Sequence, residues 1–203
     1  MTVVSIIDEI TKWGKQEICS KVKFKAPPES DDESNSSNYD YKLVTPACFS
    51  LFIPSKDKLP PSYITPIPAM CVTVVEGNDD LTTNIGVLTI QFSFATWHTG
   101  THGKDYFIPS GDGSFKQCTD DEYFKRDANG WRDVWNWIDI ALRAIESSQS
   151  INGIEIDRAS GVKFYPFKEQ EAIVDYYPYW FAGIQFKVKR PIVRNIKEYE
   201  EFL

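Results

Sequence analysis

His98 and His102 are the only two histidines in the chain, and they have the spacing of a zinc-binding pair. Two histidines four residues apart can bind one zinc ion when both project from the same turn of a helix. Residues 97–103 contain two glycines and follow a predicted strand, so helical geometry is disfavoured there. No glutamate stands beside the first histidine. We therefore interpret the pair as surface-loop histidines and predict no metal site.

Residues 100–105 read GTHGKD, which superficially resembles a phosphate-binding loop. A true loop of this kind has four residues between its glycines and a hydroxyl that binds magnesium. Here only two residues separate the glycines, and Asp105 stands where the hydroxyl belongs. We therefore predict no nucleotide cofactor at this segment.

An acidic cluster precedes the main predicted helix, at residues 120–122 with Asp127 and Asn129. Its composition suits calcium, but the alternating ligand positions of an EF-hand loop are missing. Carboxylates before a helix also interact favourably with the helix dipole. Solvation and helix-start electrostatics are therefore the simpler interpretation of the cluster.

Glu169, Glu171 and Asp175 could supply the carboxylate pair of a glycoside hydrolase, whose cleft would need aromatic walls. Four aromatic residues are close by in the sequence: Tyr176, Tyr177, Tyr179 and Trp180. Aromatic residues at this density more often pack in cores and interfaces. The chain also has no GxSxG nucleophile motif. We predict no catalytic residue, and a small hydrolase using Glu169 and Glu171 is kept as an alternative of another class.

Composition favours a single domain over residues 1–203 with proteins as partners. The chain has 203 residues, 42% of them hydrophobic, and a net charge of −7 from 29 acidic and 22 basic side chains. An acidic chain is poorly suited to bind nucleic acid through phosphates. No apolar run is long enough to span a membrane, and no signal peptide precedes the first helix. We expect no membrane association and no sequence-specific nucleic acid.

The four cysteines show no paired spacing. Cys19, Cys48, Cys71 and Cys118 lie far apart, with no CxxC motif among them. Without a secretory leader, such cysteines are typical of reduced cytoplasmic proteins. We predict four reduced thiols, at least three of them buried.

Hydrophobic periodicity predicts helices and strands in separate blocks. A first helix is expected from about Ser5 to Glu17, with Ser5 and Asp8 as a variant capping box. Strands are predicted at 41–53, 70–76, 86–97, 154–156, 161–167 and 180–188, with a turn at 77–80 extended by 81–84. Proline density at 60–68 favours a stiff extended edge. The order predicts an α+β fold, with a mostly antiparallel sheet packed against an N-terminal helix and a long central helix.

Two polar segments are predicted to be loops. Residues 27–39 are acidic and serine-rich with nothing to bury, which is the composition of a mobile loop. Residues 100–119 are polar and contain glycines, so we expect them to carry contacts.

The central helix, beginning at Gly130, has more apolar surface than one core requires. Three of the six tryptophans lie in it. At about 100° per residue, one stripe forms the predicted core face: Trp131, Val134, Trp135, Ile138, Leu142 and Ile145. A second apolar strip contains Trp137, Ile140 and Ala144. A helix with two apolar faces is either deeply buried or shared with a neighbour, so we predict this strip as a subunit interface.

Several strings in the chain resemble tail terminator proteins of long-tailed bacteriophages and of phage-tail-like bacteriocin particles in clostridial prophages. They are GWRDVWN at 130–136, GVKFYP at 161–166, EQEAI at 169–173 and YPYW at 177–180, with PIP at 66–68 and the loop at 95–105. The likeness covers most of the chain from residue 41 onward. The acidic stretch at 28–38 departs from the compact members of this group.

The resemblance implies a structural virion protein without catalysis or cofactor. Such a protein forms a ring, expected to be a hexamer, at the head-proximal end of the tail. The ring stops polymerisation of the tail tube and sheath and offers a docking surface to the neck or collar. Its partners would be other copies of itself, the tail tube protein, and sheath and neck proteins, with assembly in the host cytoplasm. A head–tail connector or neck protein of the same particle is the alternative.

Overall fold

A seven-stranded mixed sheet forms the centre of the fold, and both helices pack on it. The computed structural model describes residues 2–28, 42–61, 63, 65–98, 107–109, 112–117, 130–169, 172–173, 176 and 178–192. Within these residues, the α-helices are α1 (Val3–Glu17) and α2 (Gly130–Ser147). The strands are β1 (Phe24–Lys25), β2 (Leu43–Val44), β3 (Ala47–Ser50), β4 (Ala69–Asp80), β5 (Ile85–Trp97), β6 (Phe107–Pro109), β7 (Phe115–Gln117), β8 (Ser150–Ile151), β9 (Ile154–Ile156), β10 (Val162–Pro166), β11 (Lys168–Glu169), β12 (Ala172–Ile173) and β13 (Tyr179–Pro191). The predicted α+β class is confirmed.

The sheet is built around two long strands. Its order is β3-β4-β5-β13-β9-β8, and β10 also pairs with β13. All of these pairs are antiparallel except β3 with β4. The central strand β13 pairs with β5 along its whole length, from Tyr179 to Pro191. Beyond β13, the chain therefore places β10 beside one half of the strand and β9 beside the other.

The two central strands alternate as predicted. On β13, Ala182, Ile184, Phe186 and Val188 are buried, and Trp180 packs against the core. Their buried neighbours on β5 include Ile90, Phe92 and Phe94. A period of two places such residues on one face of a strand, so the core lies on the side of the sheet that the helices cover.

Helix α1 begins earlier than the sequence pattern predicts. Thr2 is the N-cap, and its side-chain oxygen accepts a hydrogen bond from the Ser5 amide. The predicted capping box at Ser5 and Asp8 is therefore wrong, because the helix begins about one turn earlier. An N-cap side chain accepts a hydrogen bond from a free amide of the first turn, and Thr2 is the residue in that position. The helix buries Ile6, Ile10 and Trp13 as its spacing predicts.

Helix α2 has the predicted start but a different core face. Its buried residues are Gly130, Val134, Trp137, Ile138, Ala141 and Ile145. The core face is rotated by roughly 60° from the predicted stripe, at about 100° per residue. Trp131 is exposed, and Trp135 and Leu142 are half-buried. The predicted stripe is wrong for Trp131, while Trp135 and Leu142 pack against the margin of the core. The small residues Gly130 and Ala141 allow the helix to approach the sheet with another face.

The strand bounds differ from the predictions at turns. The predicted strand at 41–53 is two strands, β2 and β3, with Pro46 between them. Strand β4 continues through the predicted turn at 77–80, and the turn is made by residues 81–84. Asn152 and Gly153 connect β8 to β9 with φ of 48° and 86°. Positive φ at both positions is typical of a tight hairpin.

Other predictions fall partly or wholly outside the described residues. Cys19, Cys48 and Cys71 are free and buried as predicted, but Cys118 lies outside. Residues 29–41, 99–106 and 118–129 also lie outside the described residues, and they include much of the loop that was predicted at 100–119. Within that predicted loop, β6 and β7 form a two-stranded sheet. Among the residues described, neither helix has the length and apolar character needed to cross a bilayer.

Candidate interaction site

The three residues predicted as a subunit interface have different environments. Trp137 is fully buried in the core of its own chain, where its ring lies 4.9 Å from Phe24 and 5.0 Å from Phe94. Ile140 and Ala144 are half-buried, and Ala144 packs against the core. The assignment of Trp137 to an interface is therefore wrong, because its side chain has no surface left for a neighbour. An interface through Ile140 and Ala144 stays a prediction.

The surplus apolar surface of α2 lies instead along the predicted core stripe. Trp131 is 43% exposed, with the Arg132 guanidinium 5.1 Å from its ring centre. One turn later, the Trp135 ring contacts Phe164 of β10 edge-on at 6.4 Å. Phe164 is 55% exposed. We call Trp131, Trp135 and Phe164 the aromatic ridge, and exposed aromatic groups of this kind mark protein interfaces.

The aromatic ridge lies beside an open sheet edge. In the described part of the chain, β10 pairs only with β13, so its other side has backbone groups without a partner strand. Phe167 follows β10 and contacts Tyr176 and Phe181 at 6.2 and 5.9 Å. Phe167 and Tyr176 are both exposed. An exposed strand edge flanked by aromatic residues is a template for pairing with another chain.

The opposite edge of the same sheet is β3, which pairs only with β4 among the described residues. Leu51 and Phe52 follow β3 directly and are 58% and 67% exposed. The Leu51 amide donates to the Val72 carbonyl oxygen at 2.8 Å, and its φ is 69°. Positive φ is unusual for a bulky residue and is seen where a segment is constrained for function. We call Leu51 and Phe52 the β3 rim.

A groove of about 410 Å³ lies next to β3, lined by Lys15, Tyr63 and Ala47 among others. The Lys15 ammonium lies 5.8 Å from the centre of the Tyr63 ring. On the helix side, Thr11 of α1 shares a hydrogen bond with Ser50 at 2.9 Å. Val4 is 67% exposed and precedes Thr11 by seven residues, so both lie on the same side of α1. The edge is thus bordered by α1 as well as by the rim.

A cluster of three ionisable groups lies at the start of α2. The Lys25 Nζ is 3.0 Å from Nε2 of His98. Asp133, in the first turn of α2, interacts electrostatically with Lys25. Trp180 closes the cluster, because its indole N–H donates to the His98 carbonyl oxygen at 3.3 Å. The cluster joins β1, β5, α2 and β13 at one end of the sheet.

Burial sets the protonation of this cluster. Desolvation and the Lys25 charge lower the pKa of His98 to about 4. Desolvation lowers the pKa of Lys25, although the Asp133 charge opposes this, and desolvation raises the pKa of Asp133. Because the pKa of His98 lies well below 7, His98 is neutral at pH 7. When Lys25 is protonated, its ammonium donates to Nε2 of His98, so that ring nitrogen already has a hydrogen-bond partner. A general base needs a pKa near the working pH. The arrangement therefore positions the helix start and is poorly suited to proton transfer by His98.

Of the other groups considered for chemistry, the structure describes only some. Glu169 lies in the β11–β12 hairpin, where it pairs with Ala172, while Glu171 and Asp175 lie outside the described residues, as does His102. In the part of the chain that is described, no group of three histidine, cysteine or acidic residues could hold a metal ion. Burial raises the pKa of the Cys71 thiol to about 11, which opposes formation of a reactive thiolate.

Sequence reasoning missed the main features of this surface. Phe164 lies in a short strand and Leu51 directly follows one, and nothing in their sequence context marks these strands as sheet edges. The Lys25–His98 contact joins residues 73 positions apart. The excess of tryptophan in α2 was the one available signal, and it indicated the helix that carries Trp131 and Trp135.

Comparison with known proteins gives no relative from which an activity could be transferred: no protein-family model, curated protein or solved structure matches the chain.

Proposed function

We propose that the protein is a structural subunit of a bacteriophage or phage-like tail, which assembles with copies of itself into a ring at the head-proximal end. The ring stops polymerisation of the tail tube and sheath and provides a docking surface for the neck or collar. The role itself follows from the sequence resemblance at 130–136, 161–166 and 169–180. The fold contributes a reason why the chain would assemble.

The observation that carries the proposal is that two edges of one sheet, among the described residues, have different apolar surfaces; the two-residue strand β8 is a third edge. One edge has the aromatic ridge, and the other has the β3 rim. A ring needs a heterologous contact, in which two different surfaces of each subunit meet and the rotation closes. A subunit with complementary surfaces at the two ends of its sheet satisfies this requirement. A two-fold dimer would need only one self-complementary surface.

The proposal contains no catalytic step. The ionisable cluster at the start of α2 has a histidine that is neutral and already hydrogen-bonded at pH 7. The cluster instead holds β1 and the first turn of α2 against the end of the sheet. A ring protein depends on rigid surfaces, and a half-buried polar contact at this junction limits how α2 can be placed.

The experiment is the mass of the purified protein, by light scattering with negative-stain imaging, alone and with tail tube subunits from the same particle. We expect rings of about six copies that cap the ends of tubes and limit tube length. Rings that bind neck proteins but leave tube length unchanged would support a connector instead. Monomers that stay off preformed tubes would contradict the proposal. Loss of a hydrolytic activity in Glu169→Ala or Glu171→Ala would favour the enzyme alternative.

A further inference from the structure

The two open edges lie at the same level of the sheet. Following the pairing across the strands, Ser50 of β3 is opposite Val72, Val72 is opposite Phe92, and Phe92 is opposite Ile184. Ile184 is in turn opposite Phe164 of β10. The last residue of β3 and the middle residue of β10 are therefore at one height, although three strands separate them in the sheet.

The strand directions at the two edges are also compatible. Strand β3 runs parallel to β4, whereas β5 is antiparallel to β4, β13 to β5, and β10 to β13. Strands β3 and β10 therefore run in opposite directions within one subunit. If a second copy is carried along the sheet without being inverted, its β3 meets β10 in antiparallel orientation. Antiparallel pairing is slightly more stable per residue than parallel pairing.

We infer that, in the proposed ring, the β3 edge of one copy pairs with the β10 edge of the next and that the sheets join into a continuous belt. This inference rests on the proposed function. Rotation within a closed ring includes no translation along the axis. If the axis follows the strands, two edges can meet only when they are at the same level. Edges of unequal height would instead generate a helical filament.

Apolar side chains are present on both sides of this junction. Leu51 and Phe52 directly follow Ser50, so they approach the level of Phe164. On the helix side, α1 of the incoming copy, on which Val4 is exposed, would lie on the same face of the sheet as Trp131 and Trp135. A buried aromatic side chain covers about 150–250 Å², so Trp131 and Phe164 each have on the order of 100 Å² left to bury. A standard interface buries roughly 800 Å² per partner, and these residues are its apolar centre.

The partner is a second copy of this chain because both halves of the contact are present on it. The incoming surface must supply an extended strand running antiparallel to β10, at the level of Phe164, with apolar residues beside it. Strand β3 and its rim supply each of these. In the free monomer, Lys163 and Phe164 of β10 are exposed. On β3, Ala47 and Cys48 are buried and Phe49 and Ser50 are half-buried, so the contact would use the second half of β3 and the β3 rim.

Photo-crosslinking tests the contact. p-Benzoylphenylalanine replaces Phe164 in one sample, which is mixed with ¹⁵N-labelled protein, assembled and irradiated. We expect adducts between copies within residues 47–52 or on the exposed side of α1. The same amino acid at Asn136, which is exposed elsewhere on α2, is the matched control and should give at least tenfold fewer adducts between copies. The substitution Leu51→Glu should reduce the Phe164 adducts by a similar factor.

The possible outcomes separate the two proposals. Rings with adducts on the neighbour's own β10, or with none between copies, would overturn the edge pairing and leave the ring function standing. Protein that stays monomeric with and without tube subunits would overturn the ring function and the edge pairing with it. Adducts at β3 in assemblies of defined mass would support both.

Discussion

The two apolar sides of α2 differ in how far they are buried. On one side Trp137 is fully buried between Phe24 and Phe94. On the other, Trp131 is 43% exposed, and Trp135 leans against Phe164 at the sheet edge. The same residue type, in the same helix, thus serves the core on one side and the surface on the other. Hydrophobicity alone does not assign a tryptophan to stability or to assembly, because its neighbours decide which surface remains open.

The largest effect should come from the core side. We expect Trp137→Ala to lower the free energy of unfolding by about 3–5 kcal/mol, because it removes a buried aromatic side chain and leaves a cavity. Denaturant unfolding of Trp137→Ala and Trp131→Ala provides the measurement. Trp131→Ala should cost less than about 1 kcal/mol, since that ring is partly in solvent. Equal losses in the two variants would remove the distinction between the two sides.

A milder substitution at the same core position sharpens this result. Within the part of the chain that is described, the buried Trp137 Nε1 has no hydrogen-bond partner. A buried donor without a partner is costly, so Trp137→Phe removes that cost while it loses some volume. We expect Trp137→Phe to retain most of the stability that Trp137→Ala loses. A loss as large as that of alanine would show that the indole nitrogen is needed.

On the surface side, the expected loss is in assembly. A charge on the aromatic ridge would have to be buried when copies associate, so Phe164→Glu should weaken self-association at least a hundredfold, about 2.7 kcal/mol. Mass measurements over a dilution series give the association constant. Asn136→Glu puts the same charge on an exposed position of α2 and should associate like the wild type. If Phe164→Glu assembles normally, the aromatic ridge is not part of the contact.

At the start of α2 there is no free space for a side chain at Gly130. A Cβ at Gly130 would lie 2.4 Å from the Trp180 indole nitrogen and 2.9 Å from the His98 Cβ. We expect Gly130→Ala to cost about 1–3 kcal/mol in unfolding free energy, because rigid groups must move. Thermal unfolding measures this. The control is Ala159→Gly at an exposed site, which should change the midpoint less. Gly113→Ala is not used because a positive φ at Gly113 would itself strain an alanine. An unchanged midpoint for Gly130→Ala would contradict the close packing.

A further effect at the same junction is a pH dependence that appears only at acidic pH. The pKa of His98 is lowered from 6.5 to about 4 in the folded protein. As the pH falls from 6.5 towards 4, the unfolded chain binds a proton that the folded chain excludes, so the free energy of unfolding decreases. His98→Gln should remove this part of the pH dependence of the unfolding free energy. Above pH 7, the substitution should change the unfolding free energy less than it does near pH 4. Equal slopes in both proteins, measured by denaturant unfolding at several pH values, would contradict it.

The sequence predicts the regular parts of the fold well. The alternation along β5 and β13 and the spacing in α1 each identify the buried face, because one clear period dominates them. In α2, apolar residues occur on two faces, so periodicity alone cannot choose the core face. Gly130 and Ala141 have little hydrophobic weight, yet they determine how closely the helix approaches the sheet. The rotation of the core face follows from packing, which a single-residue scale does not contain.

The candidate site could be predicted only in part. An excess of apolar surface on α2 was visible, but its position depends on strand order. Among the described residues, β3 pairs only with β4 and β10 pairs only with β13, so both are edge strands. Which strands are edges depends on the order of strands in the sheet. The Lys25–His98 contact likewise depends on chain segments that are far apart in sequence. Long-range pairing of this kind leaves no local signal.

Hydrogen exchange tests the central claim that both sheet edges are used in assembly. Amide exchange is compared in assembled wild-type protein and in the Phe164→Glu variant as the unassembled reference. Slower exchange on assembly is predicted in β3 and in β10 together, with little change in the core side of α2 around Trp137. Assembly that leaves both edges exchanging at the rate of the unassembled variant would contradict the account.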